Sequence, residues 1–125
     1  MIINSSGSSY EDTVRFLINA IEDRGLELFA RIDHAAGARG VELELAEEEV
    51  IVFGSPRSGT PLMQSDPRVG LDLPLRMLVW RQGEEVCLGY HDPRDLSLEY
   101  DISLHQPLLE QMATLLAELS AEAAG

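Results

Sequence analysis

The chain has 125 residues and a mass of 13.8 kDa, the usual size of one domain, and its net charge of −13 repels phosphate backbones and anionic lipids. No window approaches the ~20 apolar residues of a membrane-spanning helix, and the N-terminus lacks the basic and apolar regions of a secretory leader. Together with a single cysteine, Cys87, these features predict one cytoplasmic domain over residues 1–125 and argue against nucleic-acid or membrane partners.

The chain begins with a predicted short strand, residues 1–6, and a long helix, residues 9–24. The Ser8 hydroxyl and the Glu11 carboxylate fit a capping box, which marks a helix start. The apolar face of this helix repeats at helical spacing: Val14, Leu17, Ile18 and Ile21. Gly25 stands where a left-handed C-terminal cap belongs, so the helix should end just before it.

The next stretch predicts a second strand and several weaker elements. Residues 26–32 alternate between apolar and polar, as a half-buried strand does. Residues 35–40 are small and compatible with one or two helical turns, although two glycines disfavour them. Residues 41–45 alternate again and indicate an extended segment, and residues 47–49 read as a solvated connection.

The centre of the chain predicts a buried strand followed by a short helix. Residues 49–53 are almost continuously apolar, which indicates a strand that is buried on both faces. Residues 60–65 favour a helix, because Thr60 can cap it and Pro61 suits a first helical position.

The C-terminal half predicts a hairpin and a second long helix. Residues 75–81 and 85–90 are strands joined by a tight turn at residues 82–84. Residues 98–102 suggest a short extended piece, and Pro107 begins a helix. Its apolar stripe comprises Leu108, Leu109, Met112, Leu115, Leu116 and Leu119. This order of elements predicts an α+β fold with a mostly antiparallel sheet.

The segment from Gly54 to Thr60 has the glycine spacing of a phosphate-binding loop. It lacks the lysine that should follow the second glycine, and Pro56 removes a backbone donor. We therefore favour a tight strand-exit loop, with weak anion binding by Arg57 and backbone N–H groups as an intermediate possibility.

The pair Asp33-His34, at a predicted strand end, is the best acid–base candidate. Neighbouring residues of an extended chain point to opposite faces, so the favoured alternative is that Asp33 caps the following turn. His91 with Asp92 reads as turn chemistry. The three histidines are scattered, so neither a metal site nor a cofactor is predicted.

Several short motifs occur in a fixed order: Ile32-Asp33-His34, Phe53-Gly54-Ser55-Pro56, Gly59-Thr60-Pro61-Leu62-Met63, Leu71-Asp72-Leu73-Pro74, and Tyr90 with Asp92-Pro93. In this set the chain resembles the bacterial and archaeal family called domain of unknown function 302, over about residues 25–95. The family usually has Asn where this chain has Ser55. The resemblance implies a fold like half of the TATA-binding protein (TBP-like), an antiparallel sheet with helices packed on one face, and it implies no activity.

Our leading hypothesis for function is a small-ligand-binding or accessory module with a pocket near the strand ends. The candidate ligand-binding residues are Asp33, His34, Ser55, Pro56, Pro74 and Tyr90. The alternative is a hydrolase-like or isomerase-like enzyme that uses His34 as the base and Asp33 to orient it.

A homodimer is also predicted. Met77 and Val79 should point to one side of the sheet, and Leu78 and Trp80 to the other. Two long helices on one face leave the other face apolar and exposed, unless residues 54–74 fold across it.

Overall fold

The computed structural model describes all 125 residues and shows a five-stranded sheet in which every neighbouring pair is antiparallel. The strands are β1 (Ile2–Ser6), β2 (Glu27–Asp33), β3 (Glu48–Gly54), β4 (Leu75–Gln82) and β5 (Glu85–Tyr90). Their spatial order is β1-β5-β4-β3-β2. The predicted α+β class and antiparallel sheet are confirmed, whereas the likeness to half of a TATA-binding protein stays a prediction.

Two long helices cover one face of this sheet. The α-helices are α1 (Tyr10–Asp23), α2 (His34–Gly40), α3 (Pro56–Ser65) and α4 (Gln106–Ala123). Three short 3₁₀ segments complete the chain: Pro67–Asp72, Pro93–Leu98 and Ser103–His105. Helices α1 and α4 pack on each other and on the sheet, as the sequence predicted.

Helix α1 shows how local chemistry sets its ends. The Ser9 hydroxyl, rather than that of Ser8, caps the helix by accepting a hydrogen bond of 3.1 Å from the Asp12 amide. The predicted capping box is therefore wrong by one residue. Gly25 adopts a φ of 71° and its amide donates to the Glu22 carbonyl, which confirms the predicted left-handed end.

Two hydrophobic clusters hold the layers together. The larger lies between the sheet and helices α1 and α4; its fully buried members include Leu17, Ile21, Ile51, Phe53, Met77, Val79, Leu88 and Leu119. The smaller joins α3 and the 3₁₀ segments to α4: Leu62, Val69, Tyr100, Ile102, Leu109 and Met112. Residues 54–74 therefore pack against α4.

Several predicted elements differ from the structure. Residues 41–45 form no strand and are exposed. Glu42 adopts a φ of 62°, which lies outside the extended conformation of a strand. Helix α3 begins at Pro56 with Ser55 as its cap, so Pro61 lies inside the helix instead of at its start. Residues 98–102 are not extended, and the final helix starts at Gln106.

The predicted solvated connection is also wrong at Glu49. This residue is buried, and its carboxylate accepts two hydrogen bonds, of 3.0 and 3.1 Å, from the Arg31 guanidinium on β2. A buried carboxylate needs such a partner, because it loses its hydration. The bonds to Glu49 in turn raise the pKa of Arg31.

The buried carboxylate of Asp66 joins two segments. It accepts hydrogen bonds from the Arg68 guanidinium and from the Asp101 amide. These donors, the guanidinium first, hold the pKa of Asp66 well below its ordinary value of 3.8. Its stabilising effect is thus present above the unfolded-state pKa and is lost as the pH falls towards the folded-state pKa.

We therefore expect Asp66→Asn to be less stable than the wild type at neutral pH, and the difference to shrink as the pH falls below about 4. Thermal melts followed by circular dichroism across the acid range measure this. Asp23→Asn, at an exposed position without an ion pair, should keep the wild-type dependence. A constant gap between Asp66→Asn and wild type at all pH values would contradict the prediction.

The second face of the sheet, which we call the open face, carries no helix. Met77 and Val79 are buried beneath the helices, while Leu78 and Trp80 lie half-buried on the open face, as predicted. Its central row runs across all five strands through directly paired residues: Ile32, Val50, Leu78, Gly89 and Ile3. From residues 54–74 only Asp72 borders this face, so the segment does not cover it.

Candidate functional site

A compact pocket of about 220 Å³ lies where β3 leaves the sheet and β4 enters it. Thirteen residues line it: Phe29, Gly54, Ser55, Pro56, Ser58, Gly59, Thr60, Met63, Gly70, Leu73, Pro74, Leu75 and Met112. They come from β2, the end of β3, α3, the first 3₁₀ segment, the start of β4 and α4, so residues far apart in sequence share one hollow.

The start of α3 forms one wall of this pocket. The Ser55 hydroxyl accepts a hydrogen bond of 3.3 Å from the Arg57 amide, and Pro56 occupies the first helical turn, where no amide donor is needed. Pro74 follows a cis peptide bond and stands opposite, because a β-carbon on Gly54 would lie 3.7 Å from the Pro74 ring. Two prolines, whose rings fix their backbone φ, therefore line the pocket.

Apolar side chains form the remaining walls. A register shift between Leu28 and Ala30 marks a bulge in β2 at Phe29, whose ring would lie 3.8 Å from a β-carbon on Gly54. Met63 reaches across two glycines: a β-carbon on Gly59 would lie 3.8 Å from its methyl group, and one on Gly70 only 3.2 Å from its sulfur. Only at Gly70 is the contact tighter than usual, so glycine there leaves room for the thioether.

The pocket contains hydroxyl groups and no acid or base. Its lining has no Asp, Glu, His, Arg or Cys, so nothing there activates a serine as a nucleophile. The predicted strand-exit loop at residues 54–60 is wrong for most of its length, because helix α3 begins at Pro56, directly after Gly54 ends β3 and Ser55 caps the helix.

A wider groove of about 720 Å³ includes much of the open face and also reaches Tyr90 and Leu116 of the main core. Its floor includes Val50, Val52 and Leu78, and its borders carry the following polar residues: His34, Glu48, Asp72, Arg76, His91, Asp92, Asp95 and Glu99. Asp92 is held by the Arg94 guanidinium at 2.6 Å, which lowers the pKa of the carboxyl. Burial raises the pKa of Tyr90, which also borders the groove.

The structure divides the six predicted site residues among different places. Ser55, Pro56 and Pro74 converge on the compact pocket. His34 and Tyr90 border the open-face groove, one at the start of α2 and the other at the end of β5. Asp33 lines neither hollow, since its carboxylate accepts a hydrogen bond of 2.9 Å from the Ala36 amide and caps α2. No hydrogen bond joins it to His34.

The comparisons with known proteins identify the family. A family model described as "Domain of unknown function DUF302" matches residues 2–119. The chain belongs to the DUF302 family. A crystal structure of an uncharacterized conserved DUF302 protein from Bacillus stearothermophilus superposes with a TM-score of 0.87, covering 98% of this chain and 96% of that one. At 12% sequence identity this likeness establishes the DUF302 fold alone.

Curated relatives of this DUF302 chain occur in Brucella. Proteins named fluoride-specific ion channel FluC 1, from Brucella suis and Brucella abortus, are each 34% identical to it over 127 residues. The alignment covers the whole chain but 50% and 47% of the two relatives, so the chain spans about half the length of the proteins it matches. None of its own helices is both long and apolar enough to cross a bilayer.

Sequence reasoning named Ser55, Pro56 and Pro74 and missed the other lining residues of this DUF302 chain. Those missed include Phe29, Met63 and Met112. Phe29 breaks the alternation of β2, and it is 46% exposed although it is large and apolar. That break was the one signal available for it. Met112 was assigned to the helix core, and it is indeed buried there while also closing the pocket.

Other candidate chemistry finds less support in the geometry. No group of three or more His, Cys, Asp or Glu side chains is placed to hold a metal ion. Cys87 is buried on β5, and this burial raises the pKa of its thiol, which disfavours the nucleophilic thiolate form.

Asp33 and His34 make a matched pair for mutation. We expect Asp33→Ala to lower the free energy of unfolding by about 1 kcal/mol, because the Ala36 amide loses its capping partner. His34→Ala should stay within about 0.5 kcal/mol of wild type, since the ring is exposed and makes no hydrogen bond. Urea titrations of both variants measure this, and equal losses would contradict the capping role.

Proposed function

We propose that this chain, acting as a single domain over residues 1–125, is a small-ligand-binding accessory module. Its ligand lies in the compact pocket. The observation that carries the proposal is that Ser55, Pro56 and Pro74 converge with Phe29 and the two methionines on one hollow. Concave, mostly apolar pockets with a few polar groups are the usual form of small-molecule sites.

The Brucella relatives support the accessory role. Each is named as an ion channel, and about half of its length lies outside the match with this chain. A domain without a helix able to span a membrane fits the part of such a protein that senses or regulates instead of conducting. We place this domain in the cytoplasm, where its one buried thiol, Cys87, stays reduced.

The enzyme alternative has less support. A base needs an orienting partner within hydrogen-bond reach, and the Asp33 carboxylate is engaged with the Ala36 amide instead of the His34 ring. The compact pocket itself offers no acid–base group.

Methionine methyl groups provide the test of this function. The chain has four methionines, of which Met63 and Met112 line the pocket, Met77 is fully buried in the main core, and Met1 borders the groove. In a fragment and metabolite screen of ¹³C-methyl-labelled protein, a pocket ligand should shift the signals of Met63 and Met112 and leave Met77 in place. A broad screen in which those two signals never move would defeat the proposal.

We further propose that the chain acts as a homodimer that joins through the open face. The central row of this face is apolar, with Ile3 54% and Ile32 48% exposed, and of residues 54–74 only Asp72 borders it. The face carries charged strand residues of both signs. Two of them, Glu48 and Arg76, form no ion pair within their own chain, whereas a third, Glu85, accepts a hydrogen bond from the Ser5 hydroxyl. A second copy supplies both the apolar cover and the missing charges.

A further inference from the structure

We propose that the ligand of the compact pocket is an electrically neutral molecule built on one aromatic ring or two fused rings. This inference rests on the proposed binding function and specifies the chemical class of the ligand. Three observations carry it: the volume of the pocket, the composition of its walls, and the charge around it.

The volume sets the size of the ligand. The pocket measures about 220 Å³, whereas an engineered protein cavity of roughly 150 Å³ binds benzene. One ring with a short substituent, or a fused bicycle, therefore fits. A nucleotide or a long acyl chain does not.

The walls set its polarity. Phe29 offers a ring, Met63 and Met112 offer thioethers, and Leu73 and Leu75 complete the apolar lining. Thioether sulfur and aromatic side chains both make favourable contacts with a ring, and the flexible methionines adapt to its outline. An aromatic ligand uses these walls better than a sugar or another polyol, whose hydroxyls would lose hydrogen bonds to water there.

The absence of charged side chains in the pocket disfavours an ionic ligand. None of the thirteen lining residues is charged, so a bound cation would lose its hydration without gaining a carboxylate. An anion faces the same loss, and the net charge of −13 repels it in addition. Only a neutral molecule avoids both costs.

One polar contact can orient such a ligand. The half-buried Ser58 hydroxyl makes no hydrogen bond within the chain, in contrast to the Ser55 hydroxyl, which accepts from the Arg57 amide. A ring that carries a hydroxyl or a neutral nitrogen can bond to Ser58 while its apolar part contacts Met63 and Phe29.

Three probes of similar shape test whether the pocket prefers a neutral ligand over an ion. They are benzyl alcohol, which is neutral, benzoate, which is an anion, and benzylammonium, which is a cation. Each is titrated into ¹³C-methyl-methionine protein while the Met63, Met112 and Met77 signals are followed. We expect benzyl alcohol to give saturable shifts of Met63 and Met112 alone. Both ions should bind at least 10-fold more weakly.

Substitutions that fill the pocket can be compared with the same substitutions made elsewhere in the chain. A β-carbon on Gly59 meets only ordinary contacts, at 3.7 and 3.8 Å, so Gly59→Ala should fold normally and weaken benzyl alcohol binding, and Gly59→Leu should abolish it. Gly37→Leu makes the same change on α2, where a β-carbon meets nothing within 4 Å, and should bind like wild type. If Gly59→Leu fails to fold, the comparison of Gly59→Ala with Gly37→Ala carries the test.

The outcomes distinguish this inference from the proposed function. Equal or tighter pocket binding by benzoate or benzylammonium would overturn neutrality and leave the binding function standing. If none of the three probes shifts the methyl signals of Met63 and Met112, the inference of a ring-sized ligand is overturned. The proposed binding function is then decided by the broader fragment and metabolite screen.

Discussion

Phe53→Ala is expected to lower the free energy of unfolding by about 3–5 kcal/mol, because a fully buried ring is removed from the main core. Phe53 lies on β3, which pairs with β2 on one side and β4 on the other. Its side chain belongs to the cluster between the sheet and the two long helices. Neighbours held in a sheet cannot collapse fully into the space left by a phenyl ring, so a cavity remains.

Equilibrium unfolding in urea, followed by circular dichroism, measures this loss. Leu104→Ala is the control, because Leu104 is 89% exposed and its truncation should change the free energy by no more than about 0.5 kcal/mol. A loss below about 1 kcal/mol at Phe53 would mean that β3 is not the centre of the core.

The sequence predicted those elements whose signals are local. The helix α1 has an apolar stripe and a glycine end, and the β4–β5 hairpin has a turn at Gly83, which takes a φ of 65° that glycine adopts without cost. These signals act within a few residues, so they can be read without the fold. The charge of Glu49 predicted a solvated position, whereas the burial of its carboxylate depends on Arg31 of the neighbouring strand.

The 3₁₀ segments could not be predicted for the opposite reason. Residues 98–102 have no regular period, and the conformation there follows from contacts with distant groups: Tyr100 and Ile102 pack against α4, and the Asp101 amide donates to Asp66. Pairs separated by 35 residues leave no pattern in a short window of sequence.

Part of the candidate site could be predicted from the sequence, for the same physical reasons. Ser55, Pro56 and Pro74 are turn and cap residues at strand ends, and such residues gather at one edge of an antiparallel sheet. Phe29 joins them through a bulge, and Met112 through the packing of α4. Neither of these relations is encoded locally.

The second large expected effect concerns the proposed open-face dimer, whose stability should depend on the positions of the Glu48 and Arg76 charges. In the strand register, Glu48 of β3 lies opposite Trp80 of β4 at one end of the face. Arg76 of β4 lies opposite Val52 of β3 at the other end. When two copies stack about a twofold axis that runs across the strands, opposite ends meet, and each Glu48 lies against the partner's Arg76. The compact pocket shares only Leu75 with the groove, so it stays open in this arrangement.

Charge reversal should therefore break the dimer, and double reversal should restore it. Glu48→Arg alone places two like charges at both contacts, and Arg76→Glu alone does the same with the other sign, so each should raise the dimer Kd by roughly 100-fold or more. The double variant returns opposite charges to both contacts. Sedimentation equilibrium should show each single variant at 13.8 kDa and the wild type and double variant at twice that mass.

Two further variants separate contact from total charge. Glu44→Arg and Arg39→Glu change the net charge by the same amounts at exposed positions away from the open face, and both should remain dimeric. A wild type held at 13.8 kDa at high protein concentration would defeat the dimer. If the double variant stays monomeric while the controls dimerise, the wild-type dimer stands but this orientation is wrong. With a twofold axis along the strands, like ends of the face meet, so the double reversal does not restore opposite charges at the contacts.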